Sequence, residues 1–315
     1  MTTVLLCNSG GSTSAYMTER VLLLQKEGKF PGYTFHIVFA NTGREHPKTL
    51  AFVHKCDQRW RVKYNAHVGW VEAVVIDGYK PSEHRRVSFE NASRFGGPFE
   101  DVVAKYGIPN KDFLHCTREL KENPIMHYME SVGQTKGHIF EKQHIPATYE
   151  TWIGIRKDEP RRLKGNRNGK QLKVYPLADP IWTPSGMVDM ACDKLDVLDF
   201  WEEMPYELGL PAYLGNCVDC HKKNIKKLEK VYQEAGEHIF RFPQYLDSKY
   251  SEVRAQVIEG KIIPRKRYRG LLDTSQLIAS FKLNDFNSKR DDLEEEGCTE
   301  SCDPFMDENV ATTTR

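Results

Sequence analysis

The stretch Val4-Leu5-Leu6-Cys7-Asn8-Ser9-Gly10-Gly11-Ser12-Thr13-Ser14 changes character at Asn8. Val4 to Cys7 is an apolar run too short for a helix, and it ends in a turn of small residues. From Ala15 the pattern is helical: Tyr16, Met17, Val21, Leu22 and Leu24 recur near a 3.6-residue period until Gly28 and Pro31-Gly32 stop them. Tyr33 to Ala40 reads as a second strand, ending in Asn41-Thr42-Gly43. A helix with Leu50, Phe52 and Val53 on its inner side follows, and Val68 to Ile76 is a third strand candidate. Strand, helix, strand with short links implies parallel pairing in right-handed units. The expected fold class is α/β, with a doubly wound, mostly parallel sheet.

Residues 80–150 are richer in polar and aromatic residues, with helices expected near 98–106 and 117–131. Trp152 to Arg156 is a strand candidate that runs into the charged loop Lys157-Asp158-Glu159-Pro160-Arg161-Arg162. Residues 161–173 hold six basic residues and no acid, which suggests a mobile loop, and Val174 to Leu177 resumes a strand. Leu195 to Glu203 reads as a helix stopped before Pro205. The Lys-rich stretch 222–230 reads as one face of a helix whose other face carries Ile225, Leu228 and Val231. Residues 291–308 carry nine acids and no base, as a solvated, disordered tail does. The expected organisation is a nucleotide-binding α/β domain over 1–180, a smaller helical, Cys-bearing region over 181–285, and an acidic tail over 286–315.

Composition narrows the function classes. The chain has 315 residues, with 45 Lys plus Arg against 44 Asp plus Glu, so no overall polyelectrolyte character argues for coating DNA or a membrane surface. With 28% charged residues of both signs and 11% aromatics, disorder throughout is excluded. Apolar runs such as Val21-Leu22-Leu23-Leu24 fall far short of the roughly 20 residues a bilayer needs. The start shows no basic n-region and no full apolar h-region, so no signal peptide is expected and the protein is placed in the cytoplasm. There thiols stay reduced, and Cys217-Val218-Asp219-Cys220 reads as a metal or redox pair before it reads as a disulfide.

A strand feeding Ser9-Gly10-Gly11-Ser12-Thr13-Ser14 into a helix is suited to an anion. Glycines let the backbone come close, and the helix N-terminus presents unpaired N–H groups. The spacing is neither a Walker A loop nor GxGxxG. Asn41-Thr42-Gly43-Arg44-Glu45 lies at the end of the next strand, where parallel sheets bind ligands, so the two loops would form one crevice. Arginines at 156, 161 and 162 have the fork geometry that suits phosphate or sulfate oxygens, and Asp158 and Glu159 can orient them or hold Mg²⁺.

A strand, SGGxxS, a helix and a strand ending in NTGxE together resemble the PP-loop adenine-nucleotide enzymes (HUP-like fold), the N-type ATP pyrophosphatase and phosphoadenosine phosphosulfate (PAPS) reductase family. Three later segments resemble the same family: Cys116-Thr117-Arg118-Glu119-Leu120-Lys121 with Pro124, Gly154 to Arg162, and Gly215-Asn216-Cys217-Val218-Asp219-Cys220. The resemblance spans about residues 1–223, with the motifs in the family's order.

The resemblance implies that Ser9, Gly10, Gly11, Ser12, Thr13, Ser14, Asn41, Thr42, Gly43, Glu45 and Arg162 bind an adenine nucleotide, ATP or PAPS. It implies catalytic roles for Lys121, Arg156 and Arg161. It further implies a reductase or an AMP-forming ATP pyrophosphatase or sulfurtransferase, served by a thioredoxin-like reductant or acting on a nucleic acid. Basic stretches at 161–173, 222–230 and 261–269 are candidate tracks for that nucleic acid's backbone. A homo-oligomer is compatible with all of this.

Where iron–sulfur members of the family carry adjacent cysteines, this chain has Cys116 followed by Thr117. Cys116, Cys217 and Cys220 remain, enough for a [4Fe–4S] cluster with one iron open or for zinc with a further ligand from His115 or His221. His221 ranks lower, because it adjoins Cys220. Alternatively the CxxC caps a helix beginning near 221. Cys298 and Cys302 lie in the acidic tail without the Glu-Cys-Gly pattern of the reductases, and acidic neighbours disfavour a thiolate there. A non-catalytic, zinc-stabilised nucleotide-binding protein is the remaining alternative. Cys7 and Cys192 are expected to be buried and inert, and Trp60, Trp70, Trp152, Trp182 and Trp201 to be core.

Overall fold

Side chains on the first strand alternate between two apolar layers. In β1 (Thr2–Cys7), Val4 and Leu6 enter one buried cluster, while Leu5 and Cys7 enter another. That period of two, apolar on both faces, marks a strand covered on both sides. The computed structural model describes residues 1–140, 143–163, 172–283 and 305.

β1 is followed by α1 (Ser12–Lys26), β2 (Tyr33–Asn41), α2 (Pro47–Tyr64), β3 (Val68–Val74), β4 (Glu83–Val87) and α3 (Gly97–Tyr106). Next come α4 (His115–Thr117), a π-helical turn over Arg118–Glu122 and α5 (Asn123–Ser131), joined without a break. A hairpin of β5 (His138–Phe140) and β6 (Gln143–Ile145) leads to β7 (Tyr149–Ile153) and β8 (Leu172–Val174). The remainder holds the β9–β10 ribbon (Ile181–Thr183, Gly186–Val188), α6 (Lys194–Glu202), α7 (Ile225–Ala235), α8 (Arg241–Tyr250), the β11–β12 ribbon (Gln256–Ile258, Lys261–Ile263) and α9 (Thr274–Lys282).

Among the described residues the central sheet has six strands in the order β4-β3-β2-β1-β7-β8, all parallel except β4 at one edge. Residues from α1, α2 and α6 cover one face, around Trp60, Trp152 and Trp201. The α5 residues Ile125, Tyr128 and Met129 cover the other. The α/β, mostly parallel, two-sided sheet therefore stands as expected. The strand order reverses between β1 and β7, which opens a crevice at their carboxyl ends.

Several local expectations shift. The strand placed at Trp152 to Arg156 runs from Tyr149 to Ile153, which frees Gly154 to Arg156 to leave the sheet. The strand placed at Val174 to Leu177 lies at Leu172–Val174. The helix expected near 221 starts at Ile225, capped by Asn224 Oδ1 accepting from the Lys227 amide at 2.8 Å, so the CxxC does not cap it. Trp182 is 75% exposed, because it points outward on a two-stranded ribbon while Ile181 points in. Most of the basic loop 161–173, and the tail with Cys298 and Cys302, lie outside the described residues. Phe305 is buried beside α5, its amide donating to Glu122 Oε1 at 2.9 Å.

α1 and α2 are pinned by one buried carboxylate. Glu19 accepts from Arg59, Trp60 Nε1 at 2.7 Å, Lys63 at 3.1 Å and Tyr64 at 2.7 Å. Burial alone would raise its pKa, but the hydrogen bonds from Arg59, Tyr64 and Lys63 outweigh it and hold the carboxyl below its usual range. A depressed carboxyl contributes stability above the unfolded-state pKa and loses it as pH falls through the folded value. Glu19→Gln is expected to cost about 3 kcal/mol at neutral pH. In urea titrations the wild-type advantage should shrink as pH drops below the ordinary carboxylate range; a gap that is constant with pH would exclude this role.

Candidate functional site

The loop after β1 is shaped by its own side chains. Asn8 Oδ1 accepts from the Gly10 amide at 2.9 Å, and Gly10 takes φ +81°, where an added Cβ would stand 2.7 Å from Thr49 Cγ2. The Ser14 hydroxyl donates to the Gly11 carbonyl at 3.0 Å and accepts from the Ser9 amide at 3.1 Å. Ser9 and Ser14 therefore build the turn. Gly11 is the N-cap of α1, no side chain caps that end, and no acid occupies the first turn. The first amides of a 15-residue helix thus face the crevice with the positive end of the helix dipole. Buried Asn8 Nδ2 has no hydrogen-bond partner among the described residues.

The loop after β7 closes on this turn. A Cβ on Gly154 would stand 3.1 Å from Ser14 Cα, so any larger residue would push the two backbones apart by a few tenths of an ångström. Two residues on, Arg156 Nη1 donates to Thr13 Oγ1 at 3.2 Å. Asp158 takes Arg156 Nε at 2.9 Å, and Glu159 pairs with both Arg156 and Arg162. Asp158 and Glu159 orient the arginines, one of the two roles their position in the sequence allows. Arg161 is exposed on the short turn beyond.

The turn after β2 is largely self-satisfied. Asn41 Nδ2 donates to Glu72 at 2.6 Å, and its Oδ1 accepts from the Gly43 amide at 3.1 Å. Glu45 accepts from the Thr42 amide at 3.0 Å and the Thr42 hydroxyl at 2.8 Å. Asn41 and Glu45 hold the bend. Thr42 also reaches 3.4 Å to Cys217 Sγ, a backbone bridge joins Glu45 to Cys217, and Arg44 makes a buried ion pair with Asp219 at 3.1 Å.

That link leads into a second cavity, lined by Thr42, Cys116, Lys121, Cys217, Cys220, His221 and Arg267 among others. Cys116 and Lys121 reach it from the α4–α5 run. Pro124 stands near the start of α5, lacks an N–H and crowds the carbonyl four residues back, which accounts for the widened π turn just before it. Buried Lys223 Nζ donates to the carbonyls of Tyr213 at 2.5 Å and Val218 at 3.0 Å, which shapes the CxxC loop from behind.

The three cysteines expected to bind metal are thus gathered at one cavity, with soft donors suited to zinc or an iron–sulfur cluster. The geometry does not yet fit: among the described residues no group of three or more His, Cys, Asp or Glu side chains is arranged to hold an ion. Cys56 and Cys192 are separate, and burial pushes both thiols up to about 12.

Sequence reasoning did not bring Arg267 to this cavity and ranked His221 low, and the fold places both in its lining. The stretch 261–269, a candidate nucleic-acid track, turns inward at three cations. Arg265 stacks on Phe113 at 3.8 Å, Lys266 pairs with Asp273, and Arg267 is 2% exposed beside Asp247. Burial holds the His221 imidazole well below its usual range, hence neutral. Among the described residues no helix is long and apolar enough to cross a membrane.

No protein-family model matches the chain. It is 28% identical over 322 aligned residues, 94% of this chain and 93% of the relative, to an uncharacterized nin region protein, ORF290, of Escherichia phage lambda. That similarity extends along nearly the whole of both chains and is not confined to one motif.

Proposed function

We propose that the chain is a PP-loop adenine-nucleotide enzyme of the PAPS reductase type, acting on a phosphosulfate or on the α–β phosphate link of ATP. The observation that carries this reading is the contact between Arg156 and Thr13, which brings a guanidinium to the uncapped end of α1 at the reversal of strand order. Backbone amides and a fixed guanidinium are preorganised donors for the charge that develops on phosphate or sulfate oxygens. Lys121, across Thr42 in the cysteine-lined cavity, would serve the acceptor side.

If the substrate is PAPS, a dithiol reductant supplies the two electrons that release sulfite. If it is ATP, pyrophosphate leaves as the acceptor is adenylated, and the gathered cysteines favour sulfur transfer to a tRNA or DNA acceptor as the second reading. Calorimetric titration with ATP and PAPS is expected to give saturable binding that Ser12→Glu abolishes, because a carboxylate at the first position of α1 repels the anion. Equal affinity in that variant would remove the assignment. Sulfite release with a reductant, against pyrophosphate release with a nucleic acid, separates the two reactions.

A further inference from the structure

The β11–β12 ribbon carries exposed aliphatic side chains on both faces. Val257 is 66% exposed and Ile262 is 52% exposed, and they are cross-strand neighbours on one face. Ile258, 53% exposed, and Ile263, 44% exposed, lie on the other. No third strand pairs with the ribbon among the described residues. Its base is fixed to the body: the Arg265 amide donates to the Ser251 carbonyl at 2.7 Å, and Arg265 Nη1 donates to the Tyr106 carbonyl at 2.8 Å at the end of α3. A two-stranded ribbon is marginal in water by itself, and four neighbouring aliphatic side chains left in solvent form a patch that asks for a partner.

The two edges of the ribbon are not alike. Ile258 and Lys261 flank the two-residue turn Glu259-Gly260, where φ is +50° and +76°, as in a tight hairpin. Residues that flank such a turn exchange both main-chain hydrogen bonds, so the next pair, Val257 and Ile262, turns its N–H and C=O groups outward. Among the described residues no main-chain group outside the ribbon takes them. Beyond Ile262 the next outward position on that edge is Pro264, which has no N–H and blunts the edge. On β11, Gln256, Val257 and Ile258 include no charge and no proline, so this edge is open.

Charge selects the occupant. Over residues 252–263, Glu252 and Glu259 balance Arg254 and Lys261, so two copies of the ribbon meet without net repulsion. The cations that follow are engaged inward, Arg265 on Phe113, Lys266 on Asp273 and Arg267 on Asp247. No excess of cations is left on the ribbon to neutralise phosphates, which disfavours a nucleic acid as its partner.

We propose that β11 pairs antiparallel with β11 of a second copy of the chain about a two-fold axis at Val257, so that a dimer shares a four-stranded sheet in the order β12-β11-β11-β12. Each Val257 N–H donates to the Val257 carbonyl of the other copy, a self-complementary exchange. Ile262 and Val257 of one copy then stand in a single row with Val257 and Ile262 of the other, and aliphatic side chains that face solvent in one chain pack against their like. The dimer holds whichever reaction the crevice carries.

Sedimentation velocity of the full chain in reductant, run from low to high micromolar, is expected to show a monomer–dimer equilibrium. Val257→Lys sets two like charges opposite each other at the axis and is expected to leave monomer throughout, while its far-ultraviolet circular dichroism stays that of the wild type because the residue is exposed. Val257→Cys reads the geometry directly. Its two Cα atoms stand about 5.5 Å apart across the axis, inside the disulfide range of about 4.4–6.8 Å. Mild oxidation should give a dimer whose bridge, mapped by peptide mass, joins residue 257 to itself. Ile262→Cys lies three strand spacings, roughly 14 Å, from its counterpart and should form no such bridge. A chain that stays monomeric at every concentration, a dimer that survives Val257→Lys, or equal bridging by the two cysteine variants would overturn the proposal. Association that appears only when duplex DNA is added would overturn it in favour of a nucleic-acid arm.

Discussion

On the proposed reading, Arg156→Ala is expected to weaken binding of ATP or PAPS by roughly 30- to 150-fold, the equivalent of about 2–3 kcal/mol for a lost charge-assisted contact to an anion. The guanidinium is 14% exposed on its side-chain surface and donates to Thr13 and Asp158, so it is held in place before any ligand arrives. Preorganisation removes the ordering cost that a mobile arginine would meet on binding. Arg156→Lys restores the charge without the fork and recovers only part of the loss. The melting temperature should move little, because Glu159 keeps its pair with Arg162. Titration calorimetry on the two variants decides the matter, and an unchanged Kd for Arg156→Ala would sink the reading of the loop after β7.

The second large effect is on stability. Gly107 ends α3 with φ +80°, and a Cβ there would stand 2.2 Å from the Val253 carbonyl oxygen and 2.9 Å from Arg265 Nη1. The same joint carries Arg265 Nη1 donating to the Tyr106 carbonyl at 2.8 Å and His115 Nε2 within 3.1 Å of the Gly107 carbonyl. Gly107→Ala combines a left-handed backbone with a clash against another main chain, and should cost about 3–5 kcal/mol. Urea unfolding measures this directly. A midpoint like that of the wild type would show that the segment after α8 does not rest on α3 as described.

The parts of the fold carried by local pattern were readable from the residues alone. Short apolar runs, small-residue turns and the helical period from Ala15 announce β1, α1, β2 and α2, whereas Gly154-Ile155-Arg156 reads locally as the end of a strand and only the fold shows it leaving the sheet to meet Thr13. What stayed hidden depends on distant packing. Nothing near Arg267 in sequence foretells that Asp247 and Phe99 will enclose it, with the Phe99 ring centre 5.9 Å away. The inward turn of Asn41 required Glu72 and Ser93, neither of them a sequence neighbour. The widened turn at Arg118–Glu122 has a local cause in Pro124, yet a helical period alone does not distinguish it from an ordinary helix.

Thr42 stands in two places at once: its turn closes the end of β2 beside the loop after β1, and its hydroxyl touches Cys217 in the cysteine-lined cavity. A ligand at either place would meet the same side chain, so a shift of Thr42 at one would be felt at the other. By thermodynamic reciprocity, any factor by which occupancy of one place changed affinity at the other would act equally in reverse.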